Sequence, residues 1–164
     1  NQVSATRKVV IYDANAGRVV GAGQFTSPAG AFKARPEAVG RADFTFLAQY
    51  TGNRNRPTGA TVFRFRAGDL TFTAVSNDWL VIHGNRATLQ GGGRLAGGSA
   101  QARFAMTVLD IDDPARWWQN ADRIRMRIWS DAGVLYDNQI DPAGEGTATE
   151  GTQIVTGAIE ILAR

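Results

Sequence analysis

The sequence predicts an all-β fold: an antiparallel β-sandwich, jelly-roll-like or Greek-key in its connections, with about ten strands and at most one short helix. Three observations carry this. Apolar residues recur with a period of two along most of the 164 residues, most plainly where Ile124, Met126 and Ile128 alternate with Arg123, Arg125 and Arg127. Successive strand side chains point to opposite faces, so such a run is a ribbon with one apolar side. Nineteen glycines, with scattered Asn and Asp, supply many turns. The links between alternating runs are too short for helical crossovers, which makes the connections mostly antiparallel.

Val9, Val10, Ile11 and Tyr12 form a β-branched and aromatic run, Asp13 to Gly17 a turn, and Arg18 to Phe25 the returning strand. Gly21 and Gly23 in that strand mark a bulge or a close approach of another group. Pro28, Gly30, Pro36 and Gly40 make Thr26 to Gly40 a long irregular connection. Ala42 to Tyr50 alternates again. Thr61 to Arg66 and Leu70 to Ala74 form a hairpin about Gly68 and Asp69, and Trp79 to His83 reads as a further short strand. A strand from Arg86 toward Gln90 leads into the glycine-rich stretch Gly91 to Ser99. No helix follows these glycines, so they line a hairpin rather than a phosphate cradle. Gln101 to Leu109 is the next strand. Asp113 and Pro114 favour one or two helical turns before Asn120. Asp122 to Trp129 pairs with Val134 to Tyr136, a polar loop runs from Asp141 to Thr152, and Ile154 to Leu162 closes the chain.

At this length a single domain over residues 1–164 is the expectation, with residues 1–20 an added N-terminal strand pair. The lack of cysteine excludes disulfides, thiolate catalysis and cysteine metal sites. A formal charge of +3 is too small to imply nucleic acid as a partner. Sixteen of the 18 basic residues are arginine, which suits planar ion pairs across sheet faces. No apolar stretch approaches the ~20 residues a membrane helix needs, so a membrane-embedded chain is not expected. The chain begins at Asn1, which fits a mature exported protein or an excised fragment.

Several phrases in sequence resemble the post-COAP domain, a β-rich module of the C-terminal parts of bacterial secreted and surface proteins. They are GAGQFTSPAGAF from Gly21, ADFTFLAQY from Ala42, PTGATVFRFRAGDLTF from Pro57, NDWLVIHGNRATLQGGGRLAG from Asn77, DRIRMRIWS from Asp122 and VLYDNQI from Val134. The resemblance spans most of the chain after Gly21 and implies an exported module, secreted or on the bacterial cell surface, with no catalytic residues to carry over. The chain departs from the pattern at Asp110 to Trp118, which stands in place of a glycine-rich loop, and at Val3 to Val20, which adds a strand pair.

Candidate sites are few. Asp110, Asp112 and Asp113 cluster at a strand end and offer oxygen ligands of the kind calcium takes, though without EF-hand spacing; turn carboxylates serving arginines or a helix cap are the plainer account. No other cofactor is implied. Trp117 and Trp118, with Tyr50, would supply stacking surfaces for a saccharide if exposed, and core plugs if buried. His83 is the only histidine, which weakens any Ser-His-Asp triad. Asp137, Asn138 and Gln139 read as turn formers. Arg64, Arg66, Arg123, Arg125 and Arg127 form either a cationic face or interleaved ion pairs. Three functions follow in order: a non-enzymatic structural or adhesion module binding other surface proteins or copies of itself through strand edges, Val9 to Tyr12 foremost; a carbohydrate-binding module with a calcium-stabilised loop, whose partner is a polysaccharide; and a hydrolase with paired carboxylates Asp110 and Asp122.

Overall fold

The computed structural model describes residues 17–52, 55–98, 101–111, 122–139 and 151–162. Ten strands lie in these segments: β1 (Arg18–Ser27), β2 (Gly40–Gln49), β3 (Thr58–Phe65), β4 (Leu70–His83), β5 (Arg86–Leu95), β6 (Gln101–Leu109), β7 (Arg123–Ser130), β8 (Gly133–Asp137), β9 (Thr152–Gln153) and β10 (Thr156–Leu162). The all-β expectation holds, and every strand pairing is antiparallel. Hydrogen bonding joins all ten strands into one sheet in the order β10-β1-β2-β3-β4-β5-β6-β7-β8, with β9 alongside β7. From β1 to β8 sequence neighbours are sheet neighbours, as short links dictate.

The leading strand expected from Val9 to Tyr12 and the helical turns expected before Asn120 lie outside the described residues. Two strand assignments change. Leu70 to Ala74 and Trp79 to His83 belong to one 14-residue strand, β4, which bends at bulges between Ala74 and Ser76 and between Asn77 and Trp79. An inserted residue interrupts the two-residue rhythm without ending the pairing, so the sequence pattern looks like two strands. The closing strand expected from Ile154 begins at Thr156 as β10, and the two-residue β9 forms ahead of it, at the end of the expected polar loop.

Alternate residues of the strands fill one shared core. Phe25, Phe44, Phe46, Phe63, Phe65, Phe72, Phe104, Met106, Ile124, Met126 and Tyr136 are buried there. Each such side chain contributes roughly 1.5–3 kcal/mol on leaving water. The sheet rolls to make this core: the ring of Tyr136 on β8 lies 4.8 Å from that of Phe63 on β3, although four strands separate them in the sheet. Space for the rings comes from glycine. Gly21 and Gly23 face inward beside Phe46 and Phe44 across the β1–β2 ladder, and a Cβ on Gly21 would sit 2.7 Å from the Phe46 ring. The sequence expectation of a close approach at these glycines is met by aromatic side chains.

The ladder does not close on itself, yet both outer edges are covered along part of their length. Beside β8, Lys33 N–H donates to Leu135 O (3.0 Å) and Asp137 N–H to Ala31 O (2.9 Å), so the segment after β1 acts as a short extra strand. Beside β10, side chains take that role. Ile159 N–H donates to Asp122 Oδ2 and Ile161 N–H to Asp110 Oδ2, each at 2.9 Å. Exposed strand edges invite pairing with other chains, and covering them suppresses it.

Candidate functional site

The acidic residues singled out from sequence are bound into the fold. Asp122 is buried at 6 % exposure and receives Ile111 N–H on Oδ1 (2.9 Å) as well as Ile159 N–H on Oδ2. Asp110 follows β6 and directs Oδ2 at the amide of Ile161. The two carboxylates weighed as a hydrolytic pair therefore both hold β10 against the ends of β6 and β7. Asp112 and Asp113, the other expected calcium ligands, lie outside the described residues, as do Trp117 and Trp118. Among the described residues no group of three His, Asp or Glu side chains is placed to hold a metal ion.

Tyr50 is placed differently from the stacking role expected of it. Its ring is buried, and its hydroxyl receives Leu80 N–H (3.1 Å) while donating to Leu80 O (3.2 Å), which ties the end of β2 to the bulged β4. Its burial follows the two-residue period that sets it on the face of Phe44, Phe46 and Ala48. His83 is exposed at the end of β4, paired across a tight turn with Arg86.

Interleaved ion pairs account for much of the arginine ribbon. Asp137 receives Arg125 through Nε (3.1 Å) and Nη2 (2.9 Å), with Arg127 Nε at 3.8 Å. Asp43 receives Arg41 Nε (2.7 Å) and Arg66 Nε (2.9 Å), and Arg103 pairs with Asp78. Burial alone would push the Asp43 carboxyl up, but the hydrogen bonds and charges of Arg66 and Arg41 hold it below its usual value. Arg123 donates to Gly151 O at 2.7 Å.

Asn138 does more than form a turn. Buried at 4 % exposure, it accepts Met126 N–H on Oδ1 (2.7 Å) and donates from Nδ2 to Ile124 O (2.8 Å) and Thr152 Oγ1 (2.9 Å). Its amide thus imitates a strand residue against β7 between β8 and β9. The Asp-Asn-Gln string gave no sign of this, because an amide that bonds its own turn and one that bonds a neighbouring strand have the same sequence.

The part of the described surface best suited to a partner is the outer face of β10-β1-β2-β3. Val20 lies in register with Leu47 and Ala60, and Ala22 with Ala158, Thr45 and Val62. They border a shallow depression of about 590 Å³. Leu47 and Val62 stand 38 % and 41 % exposed, where an outward strand position ordinarily carries a polar side chain. Glu160, Arg18 and Arg64 stand around it on the same face. The signal was present in the sequence as apolar residues at successive outward positions of three strands.

No family model, no curated protein and no solved structure matches the chain.

Proposed function

We propose that the chain is a non-enzymatic structural or adhesion module of the bacterial exterior, carried within a secreted or surface polypeptide and assembling with copies of itself. The resemblance of its phrases to the post-COAP domain supports the setting. The observation that carries the mode of action is the contrast between covered strand edges and the open apolar face of Val20, Leu47, Ala60 and Val62. Contact through that face stands beside the edge-to-edge assembly expected from sequence, whose foremost strand, Val9 to Tyr12, lies outside the described residues, while the β8 and β10 edges are occupied along part of their length.

A second copy is the partner that the charges favour. Glu160 and the arginines Arg18 and Arg64 place both signs around one apolar centre, and a patch of mixed sign complements itself across a two-fold axis. Sedimentation velocity over a hundredfold concentration range tests the reading. Dimers that disappear in Leu47→Glu and Val62→Glu support it. A wild-type chain that stays monomeric throughout, or dimers indifferent to both variants, defeats it.

A further inference from the structure

The outer face of β4–β7 carries a hollow of about 270 Å³ over Gly92. It lies on a different part of the sheet from the apolar face, and its lining mixes polar and apolar surface. Gly92 is flanked in register by Ser76 on β4 and Arg103 on β6, and Arg94 with its partner Gln101 lies two residues farther along on the same face. Ser130 and Asp131, at the β7–β8 turn, complete the wall. The bulge between Ala74 and Ser76 sets Ser76 at the rim and leaves Val75, 65 % exposed, as an apolar margin.

The three consecutive glycines of β5 have unequal reasons to be glycine. A Cβ on Gly91 would collide with Ser76 O, and one on Gly93 with Thr73 O and the Phe72 ring. Those two are demanded by packing. At Gly92 a Cβ would meet Ser76 Oγ at 3.4 Å and Ala102 O at 3.8 Å, ordinary contact distances, and its backbone is not in the left-handed region. A strand interior is weakened by glycine, so a glycine that the fold does not require is unexplained by the fold. A side chain longer than that of alanine at Gly92 would occupy the hollow it lines.

We propose that this hollow binds one ring of a neutral saccharide. Its lining offers donors in Arg94, Arg103 and Gln101, an acceptor in Asp131, and hydroxyls in Ser76 and Ser130 that serve as both, the mixture that vicinal sugar hydroxyls require. Charge decides against an anion. Arg103 is paired with Asp78, and Asp131 offsets Arg94, which leaves the site close to neutral. Val75 gives the C–H face of a ring an apolar surface. The volume lies just under the ~300–1,000 Å³ of drug-sized pockets and suits a single ring rather than a chain buried along its length. The proposal stands whether or not the chain self-associates.

Saturation-transfer NMR with maltotriose, cellotriose, chitotriose and galactobiose, and with inorganic phosphate as the ionic probe, tests it. At least one neutral saccharide binds the wild type, and Asp131→Asn and Gly92→Leu each weaken it tenfold or more while the melting temperature moves by no more than a few degrees. Gly92→Ala, whose Cβ fits, folds normally and weakens binding less than the leucine variant. Binding unchanged in both Gly92 variants overturns the proposal. So does the failure of all four saccharides, or a response to phosphate alone.

Discussion

Asp122 stands in for a strand beside Ile159: its Oδ2 accepts the Ile159 amide at 2.9 Å while Oδ1 accepts that of Ile111. One carboxylate thereby satisfies two backbone donors from different elements. Asp122→Asn retains the shape but offers one acceptor and turns an N–H₂ toward an N–H, which leaves a buried donor unsatisfied. A loss of about 1–3 kcal/mol is expected in urea unfolding. Asp110→Asn, at a half-buried rather than a buried position, loses less. Equal stability of Asp122→Asn and wild type would show that the β10 edge does not depend on the charge.

Tyr136 is fully buried and donates to Ser27 Oγ at 2.9 Å. Burial is the main cause that drives its phenol far above the ordinary value near 10; the hydrogen bond with Ser27 opposes this, and the charge of Asp137 adds to it. The unfolded chain therefore loses this proton before the folded chain does. Stability from the group is complete below about pH 10 and declines as pH rises beyond it. Urea midpoints measured from pH 8.5 to 11.5 should fall along an alkaline slope that Tyr136→Phe reduces, with a loss of about 1 kcal/mol for the variant at neutral pH.

Thr61 on β3 is 1 % exposed, and its hydroxyl has no hydrogen-bond partner among the described residues. Valine has nearly the same shape and nothing to desolvate. Thr61→Val is expected to gain about 1 kcal/mol, read as a higher melting temperature in calorimetry. A destabilised variant would reveal a partner for the hydroxyl.

The Asp43 carboxyl, held low by Arg66 and Arg41, contributes stability that is present above the ordinary carboxylate range and is lost as pH falls through its folded value. Because both arginines are largely exposed, the contribution is about 1 kcal/mol or less. Asp43→Asn should flatten the acid limb of the stability profile below pH 4 slightly, and 0.5 M NaCl should shrink the difference between variant and wild type.

Strand positions and the inward faces were legible because a period of two survives wherever pairing is regular. Phe44 and Phe46, Phe104 and Met106, and Ile124 to Ile128 all lie where the alternation predicts. Legibility failed where one residue slipped the register, as at Val75 in β4, and for contacts between strands distant in sequence, as from the Tyr50 hydroxyl to Leu80. The one-sheet arrangement was equally hidden, since alternation identifies strands and not how many sheets they make. Side chains acting as backbone gave no signal either: Asp122 and Asn138 carry the letters of turn formers but hold strands together.

In the β1–β10 ladder, Arg18 opens the first strand directly across from Leu162, which ends the last. A tensile load entering at one and leaving at the other pulls the two strands apart from a common end. Rungs then break in sequence rather than in parallel, so none shares the force with those behind it. Loaded at these two ends, the ladder unzips from Leu162 toward Thr156, and the carboxylate clasps of Asp110 on Ile161 and Asp122 on Ile159 are among the first contacts to carry the force.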